Sequence, residues 1–113
     1  MAERIYTSFE DFFPFYLREH AKPSTRALHY IGTTLVIAIA VCAVVTGSWL
    51  LLLALPVAGY FFAWVAHFFV EKNRPATFTY PWWSLVSDFK MYGLWITGRL
   101  PAHLERAGVV RPS

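Results

Sequence analysis

The sequence predicts an all-α integral membrane protein: a helical hairpin that crosses the bilayer twice, flanked by amphipathic interfacial helices. Residues 27–70, 44 in a row, contain no Lys, Arg, Asp or Glu. As helix this run would extend about 66 Å, roughly twice the ~30 Å hydrocarbon core of a bilayer. Thr46-Gly47-Ser48 lies at its middle as a turn signal. With 57% hydrophobic and 15% charged residues, the chain of 113 residues is too apolar for a soluble domain of this size and predicts one membrane-embedded domain, 1–113.

The first element is predicted to be an interfacial helix over about residues 8–21. Ser8 or Thr7 suits its N-cap, and Glu10-Asp11 follows in the first turn, where negative charge is favourable. One face carries ring-bearing side chains at steps of 4, 3 and 4 residues, namely Phe9, Phe13, Tyr16 and His20. This pattern is typical of a helix that lies at a membrane surface.

The two crossings are predicted over about residues 25–45 and 49–70. Gly32 in the first would permit close contact between the helices. Pro56 and Gly59 lie inside the second, where a membrane helix tolerates them.

A second interfacial helix is predicted over about residues 81–98, with Pro81 at its first position. Asp88 and Lys90 lie in its middle, and charges there argue against a third full crossing. The tail, 101–113, is short and polar, and we expect it to be loose.

The charge distribution predicts the orientation. The net charge is +3, and all ten Lys and Arg lie outside the hairpin. By the positive-inside rule both termini should be cytoplasmic, in a bacterial inner membrane or an endoplasmic reticulum. The basic residues form no stripe or reading motif, which excludes a nucleic-acid partner, and membrane lipid is the expected environment. The lone Cys42 excludes an intrachain disulfide.

Histidines stand near both ends of the hairpin. His29 is 18 residues before Gly47 and His67 is 20 after it, so the two imidazoles return to one membrane face. His20 lies just upstream. Imidazole binds Fe(II), Zn(II) and Cu well, and three histidines from three elements indicate a metal site. The alternative is that each histidine is only an interfacial anchor; His103, in the tail, is expected to be a surface residue.

Glu71 follows His67 by four residues and so shares its helical face. It could be a metal ligand, a hydrogen-bond partner of the imidazole or a general base, hence a candidate catalytic residue. The simpler interpretation is an end-of-helix charge paired with Lys72 or Arg74.

Cationic side chains stand at the same interface and could bind the carboxylate head of an amphiphile whose tail lies between the helices. The alternative role is to anchor the hairpin and set its orientation. The candidates for substrate binding are Arg26, Lys72 and Arg74.

Several segments together resemble the 2-hydroxy fatty acid dioxygenase-like family of small membrane proteins, over about Phe12 to Leu100. The segments are Tyr16…His20, Pro23-Ser-Thr-Arg26-Ala-Leu-His29-Tyr-Ile-Gly32, Trp64-Val-Ala-His67-Phe-Phe-Val-Glu71-Lys-Asn-Arg74-Pro75-Ala76, Tyr80-Pro-Trp-Trp-Ser-Leu, Asp88-Phe and Trp95…Gly98-Arg99-Leu100. Thr25 and Ala66 depart from the family pattern, which often has Asn and Gly there. Neither departure removes a histidine.

The resemblance implies an Fe(II)-dependent dioxygenase that uses molecular oxygen to shorten a 2-hydroxy fatty acid by one carbon. It also implies that His20, His29 and His67 bind the iron. The rival is a non-catalytic membrane hairpin that shapes the bilayer or scaffolds a partner, and a zinc or haem site would use the same residues. The sequence allows a homo-oligomer without fixing the oligomeric state.

Overall fold

The computed structural model describes residues 5–109, and within that range every regular element is helical. The all-α prediction is therefore confirmed. The elements in chain order are α1 (Phe9–Arg18), α2 (Pro23–Thr46), a 3-10 segment (Trp49–Leu53), α3 (Ala54–Val65), a π-helical segment (Ala66–Glu71), a short 3-10 helix (Ala76–Phe78), α4 (Pro81–Ile96) and α5 (Leu100–Ala107).

Two helical stretches are long and apolar enough to cross a membrane. They are Pro23–Thr46, with a mean hydropathy of 2.2, and Trp49–Glu71, with a mean hydropathy of 2.0. Most of their large side chains point away from the protein; Val45 and Leu50, for example, are 77% and 80% exposed. Exposed apolar surface on this scale agrees with contact to membrane lipid. Gly47 ends the first stretch in the left-handed conformation, at φ 69°, as the turn signal predicts.

The first crossing begins two residues before the predicted start. Pro23 occupies the first helical turn, where its missing N–H costs nothing, and Lys22 is the N-cap. In α1, Ser8 is the N-cap and its hydroxyl accepts from the Asp11 amide at 3.2 Å. Pro14 lies inside α1 without interrupting it.

The two crossings pack closely at Gly32. A Cβ placed there would lie 3.2 Å from the Cβ of Phe62 and 3.3 Å from the carbonyl oxygen of Ala58. A side chain at residue 32 would therefore crowd the contact between α2 and α3, as expected where small residues lie between membrane helices.

The hydrophobic core lies outside the hairpin, where α1, α4 and α5 pack together. Its buried side chains are mainly aromatic and aliphatic: Phe12, Phe13, Tyr16, Leu17, Ala76, Tyr80, Met91, Leu100 and Ala107. We call this three-helix layer the cap. It covers the end of the hairpin at which α2 begins and the second crossing ends.

The prediction of a loose tail is wrong for residues 101–107. They form most of α5, which buries Leu100 and Ala107 in the core of the cap. The Arg18 guanidinium also donates to the Ala107 carbonyl at 3.2 Å. Polar composition hid this helix because a short helix needs only a few apolar anchors to dock. Residues 110–113 lie outside the described range.

Gly32→Ala is expected to lower the free energy of unfolding by about 1–3 kcal/mol, because the added methyl group overpacks the contact between the crossings. Gly93→Ala, on α4, is the matched control because a Cβ there would meet nothing within 4 Å. Alanine should stabilise that position by up to about 1 kcal/mol. Unfolding titrations in detergent measure both variants, and equal stability would contradict the close packing.

Candidate metal centre

Three histidines from three elements meet beneath the cap. His20 follows α1, His29 lies in the second turn of α2, and His67 lies in the π-helical segment. All three are buried, at 1%, 6% and 3% exposure. The Nε2 atom of His20 lies 3.1 Å from the Nε2 atoms of both His29 and His67. The cluster could hold a metal ion, since one ligand atom of each histidine lies within 4.8 Å of the others.

Each ring is held by an oxygen acceptor at its other nitrogen. A carbonyl oxygen accepts but cannot donate, so each Nδ1 carries the proton and each Nε2 keeps its lone pair. The three lone pairs thus converge on one point, as in a metal site prepared by its surrounding hydrogen bonds. The acceptors are the Tyr16 carbonyl for His20 at 2.6 Å, the Thr25 carbonyl for His29 at 2.9 Å and Asn73 Oδ1 for His67 at 2.7 Å.

The way the second crossing ends brings Asn73 to His67. The π-helical turn closes with Lys72 in the left-handed conformation, at φ 63°, and the Asn73 amide then donates to the His67 carbonyl at 2.9 Å. The Asn73 side chain donates from Nδ2 to the Glu19 carbonyl at 3.0 Å, which directs its Oδ1 towards His67. Short π-helical segments within α-helices frequently lie at functional sites.

The electrostatic environment also suits a metal ion. Burial, followed by the nearby His29 and His67, holds the pKa of His20 well below its usual value, so the ring is neutral at pH 7. Metal–nitrogen bonds of about 2.0–2.1 Å allow two ligand nitrogens to lie up to about 4.2 Å apart. The 3.1 Å separations of His20 Nε2 from the other two Nε2 atoms satisfy this limit, and the ligand atoms of the whole cluster lie within 4.8 Å of one another. The adjoining cavity of about 10 Å³ has room for one water-sized group.

The same cavity has a polar wall on α4 that the sequence did not reveal. Ser84 and Asp88 are one helical turn apart and both line it. The Ser84 hydroxyl is buried and has no hydrogen-bond partner among residues 5–109. The Tyr16 hydroxyl donates to Asp88, and burial raises the pKa of this carboxyl to about 7. The sequence feature that could have indicated this wall is the four-residue spacing of Ser84 and Asp88, two polar side chains in a helix rich in aromatic residues.

Among the described residues, none of the three predicted cations lines this cavity. Arg26 donates to the carbonyls of His20 and Ala21, at 2.7 and 2.9 Å, and so braces the connection between α1 and α2. Arg74 lies 5.0 Å over the ring of Phe78. Lys72 is exposed at the helix end.

Glu71 accepts a hydrogen bond from the Lys22 amide, which ties the end of the second crossing to the start of the first. Asn73, rather than Glu71, occupies the position beside His67 Nδ1. His103 lies apart from the cluster, edge-on to Phe13 at 6.3 Å between ring centroids.

The structure therefore defines a class of all-helical protein that has two helices long and apolar enough to cross a membrane and a buried three-histidine cluster that could hold a metal ion. The chain belongs to the family described as 2-hydroxy-palmitic acid dioxygenase Mpo1-like, whose model matches residues 6–100. This match confirms the family resemblance of the sequence motifs. Neither a curated protein nor a solved structure shows significant similarity to the chain.

Asn73→Leu is expected to weaken metal binding about 10–100-fold, because His67 loses the acceptor that fixes its ring and tautomer. Calorimetric titration of the detergent-purified protein with Zn(II) or Fe(II) measures this affinity. Glu71→Gln is the control, since its amide oxygen can still accept from the Lys22 amide and His67 keeps its Asn73 acceptor. If Glu71→Gln weakened metal binding more than Asn73→Leu, Glu71 rather than Asn73 would be the residue that supports His67.

Proposed function

We propose that this protein is an iron-dependent dioxygenase that shortens 2-hydroxy fatty acids by one carbon at the cytoplasmic face of a membrane. The observation that carries the proposal is the convergence of three buried Nε2 lone pairs from His20, His29 and His67. Family membership supplies the reaction class and the type of substrate. The two apolar crossings agree with a substrate drawn from the lipid phase, in a bacterial inner membrane or an endoplasmic reticulum.

In this proposal His20, His29 and His67 hold Fe(II). Bound iron would supply Lewis-acid chemistry and oxygen activation beside the oxygen-bearing head of the substrate. With the lost carbon leaving as carbon dioxide, R–CH(OH)–COOH and one O₂ give R–COOH, carbon dioxide and water. Atoms and electrons balance without an external reductant, which agrees with a site that needs no organic cofactor.

The protein's own groups would position the substrate and exclude water. Asn73 and two backbone carbonyls keep the imidazoles rigid, so little reorganisation is needed when a metal and substrate bind. Ser84 faces the cavity with an unused hydroxyl, which suits a hydrogen bond to a substrate oxygen. The Tyr16–Asp88 pair lies beside it and could accept or return a proton near neutral pH.

The proposal also assigns roles to the charged residues at the interface: substrate attraction to the three cations and proton transfer to Glu71. Arg26, Lys72 and Arg74 would attract the carboxylate to the interface before it enters, since the described part of the cavity contains none of them. Glu71 would move a proton at the interface rather than orient His67, because Asn73 already does that.

The decisive experiment is product analysis by mass spectrometry. Purified protein loaded with Fe(II) in detergent, given 2-hydroxypalmitic acid and oxygen, is expected to release the acid one carbon shorter. His67→Ala is expected to lose the product and the bound iron, because two imidazoles cannot hold the ion as three do. His103→Ala is the matched control and should retain both, since this histidine lies outside the cluster.

The other outcomes separate the alternatives. Bound iron without product from wild type would keep the metal site and reject the substrate. Neither iron nor product would favour the non-catalytic hairpin, and an absorption spectrum of the purified protein would reveal haem.

Ser84→Ala is expected to lower kcat/KM about threefold to tenfold, the effect of losing one hydrogen bond to the bound substrate, with iron content unchanged. Ser87→Ala is the matched control: its hydroxyl is also buried on α4 without a partner, yet it does not line the cavity. Steady-state kinetics on both variants test the role of Ser84, and equal effects would reduce it to a structural one.

A further inference from the structure

A second cavity of about 280 Å³ adjoins the metal centre and extends between the two crossings and α4. It shares three residues with the small cavity at the histidines: His29, Tyr60 and Asp88. The two spaces are therefore neighbours with a common wall. We call the larger space the interhelical groove.

The groove is polar at the histidine end and apolar beyond it. On α2 its wall proceeds from His29 through Thr33 to Val36, one helical face that leads away from the cap. On the second crossing, Tyr60 lies nearest the cap and is followed by Gly59 and Pro56. This gradient matches an amphiphile whose oxygen-bearing head is at the metal centre and whose hydrocarbon tail points into the membrane.

We propose that the interhelical groove binds the acyl chain of the 2-hydroxy acid and that Gly59 sets how long a chain it accepts; this inference rests on the proposed function. The occupant is a lipid chain rather than a protein segment, because the groove lies within the apolar crossings and continues into the site of the proposed chemistry.

The reach of the groove fits a long acyl chain. Eleven residues of helix separate His67 from Pro56, which corresponds to about 16 Å along the axis. An extended alkyl chain of that length contains roughly a dozen methylene groups, given carbon–carbon bonds of about 1.5 Å. A long-chain acid can therefore have its head at the histidines and its terminal carbons beside Leu55 and Pro56.

Gly59 lies part-way along this path, about 12 Å of helix from His67. A Cβ at this position would meet only the Val36 side chain, at the ordinary contact distance of 3.5 Å. The backbone thus tolerates a side chain at residue 59, and a large one would project across the groove and block its far end. Acyl chains short enough to end before residue 59 would still fit between that side chain and the histidines.

The test combines binding with turnover. 2-Hydroxypalmitic acid carrying a photoreactive diazirine near its methyl end is crosslinked to the metal-free protein in detergent, and labelled peptides are identified by mass spectrometry. Labels are expected at Leu55 and Pro56. Gly59→Leu should remove them, whereas Gly93→Leu, the same change in open space on α4, should not. Labels spread over the lipid-facing Val44 and Leu50, equally in all variants, would overturn the proposal.

Turnover supplies the second readout. In Gly59→Leu with iron bound, the ratio of kcat/KM for 2-hydroxypalmitic over 2-hydroxyoctanoic acid is expected to fall about tenfold or more, from overpacking that only the long chain meets. An unchanged ratio would overturn the role of Gly59.

The two proposals fail in different ways. Correct labelling with no product from any chain would reject the reaction and keep the groove as a lipid-binding site. Product without labelling in the groove would keep the reaction and reject the groove.

Discussion

The structure depends on three hydrogen bonds made by histidine Nδ1 atoms. Each fixes a tautomer, and together they force three Nε2 lone pairs towards one point, with His20 Nε2 at 3.1 Å from the other two. Neutral imidazoles in this arrangement do not satisfy one another, because the two nitrogens of each contact are both acceptors. A buried acceptor without a donor costs about 1–3 kcal/mol. A cation at the centre removes that cost, so metal binding should be coupled to the stability of the cap.

The acceptors for these bonds come from parts of the molecule that serve different purposes. The Tyr16 carbonyl belongs to the cap, the Thr25 carbonyl to the start of the first crossing, and Asn73 to the loop that leaves the second. The cap therefore does more than cover the hairpin. It supplies His20, one of the three clustered imidazoles, and the Glu19 carbonyl that aligns Asn73. The aromatic side chains of the cap pack together as in the core of a soluble protein. This packing holds the imidazoles and their acceptors in fixed positions relative to the two hairpin helices.

The sequence predicted the parts of this arrangement that follow from local pattern. A charge-free run with a central turn is enough to predict the hairpin, and nearly matched distances from Gly47, 18 and 20 residues, are enough to pair His29 with His67. The sequence could not predict contacts between distant residues: Tyr16 and Asp88 are 72 positions apart, and Asn73 replaces Glu71 beside His67 only because Lys72 reverses the chain. The four-residue spacing between His67 and Glu71 places both on one face only in a regular α-helix. This segment is π-helical, so the two side chains do not share a face as predicted.

A scaffold and a catalytic metal centre place different demands on the side chains of this cavity. A hairpin that only shapes the bilayer gains nothing from three buried imidazoles, because apolar side chains of similar volume would pack there without unpaired acceptors. Nor does it need an unpartnered Ser84 hydroxyl facing the same cavity, or an Asp88 carboxyl whose pKa burial raises to about 7. Stability alone would select against each of these groups. These groups lie together in one cavity at the polar end of an apolar groove. Such clustering is expected of a functional site, where side chains are retained for activity at a cost in stability.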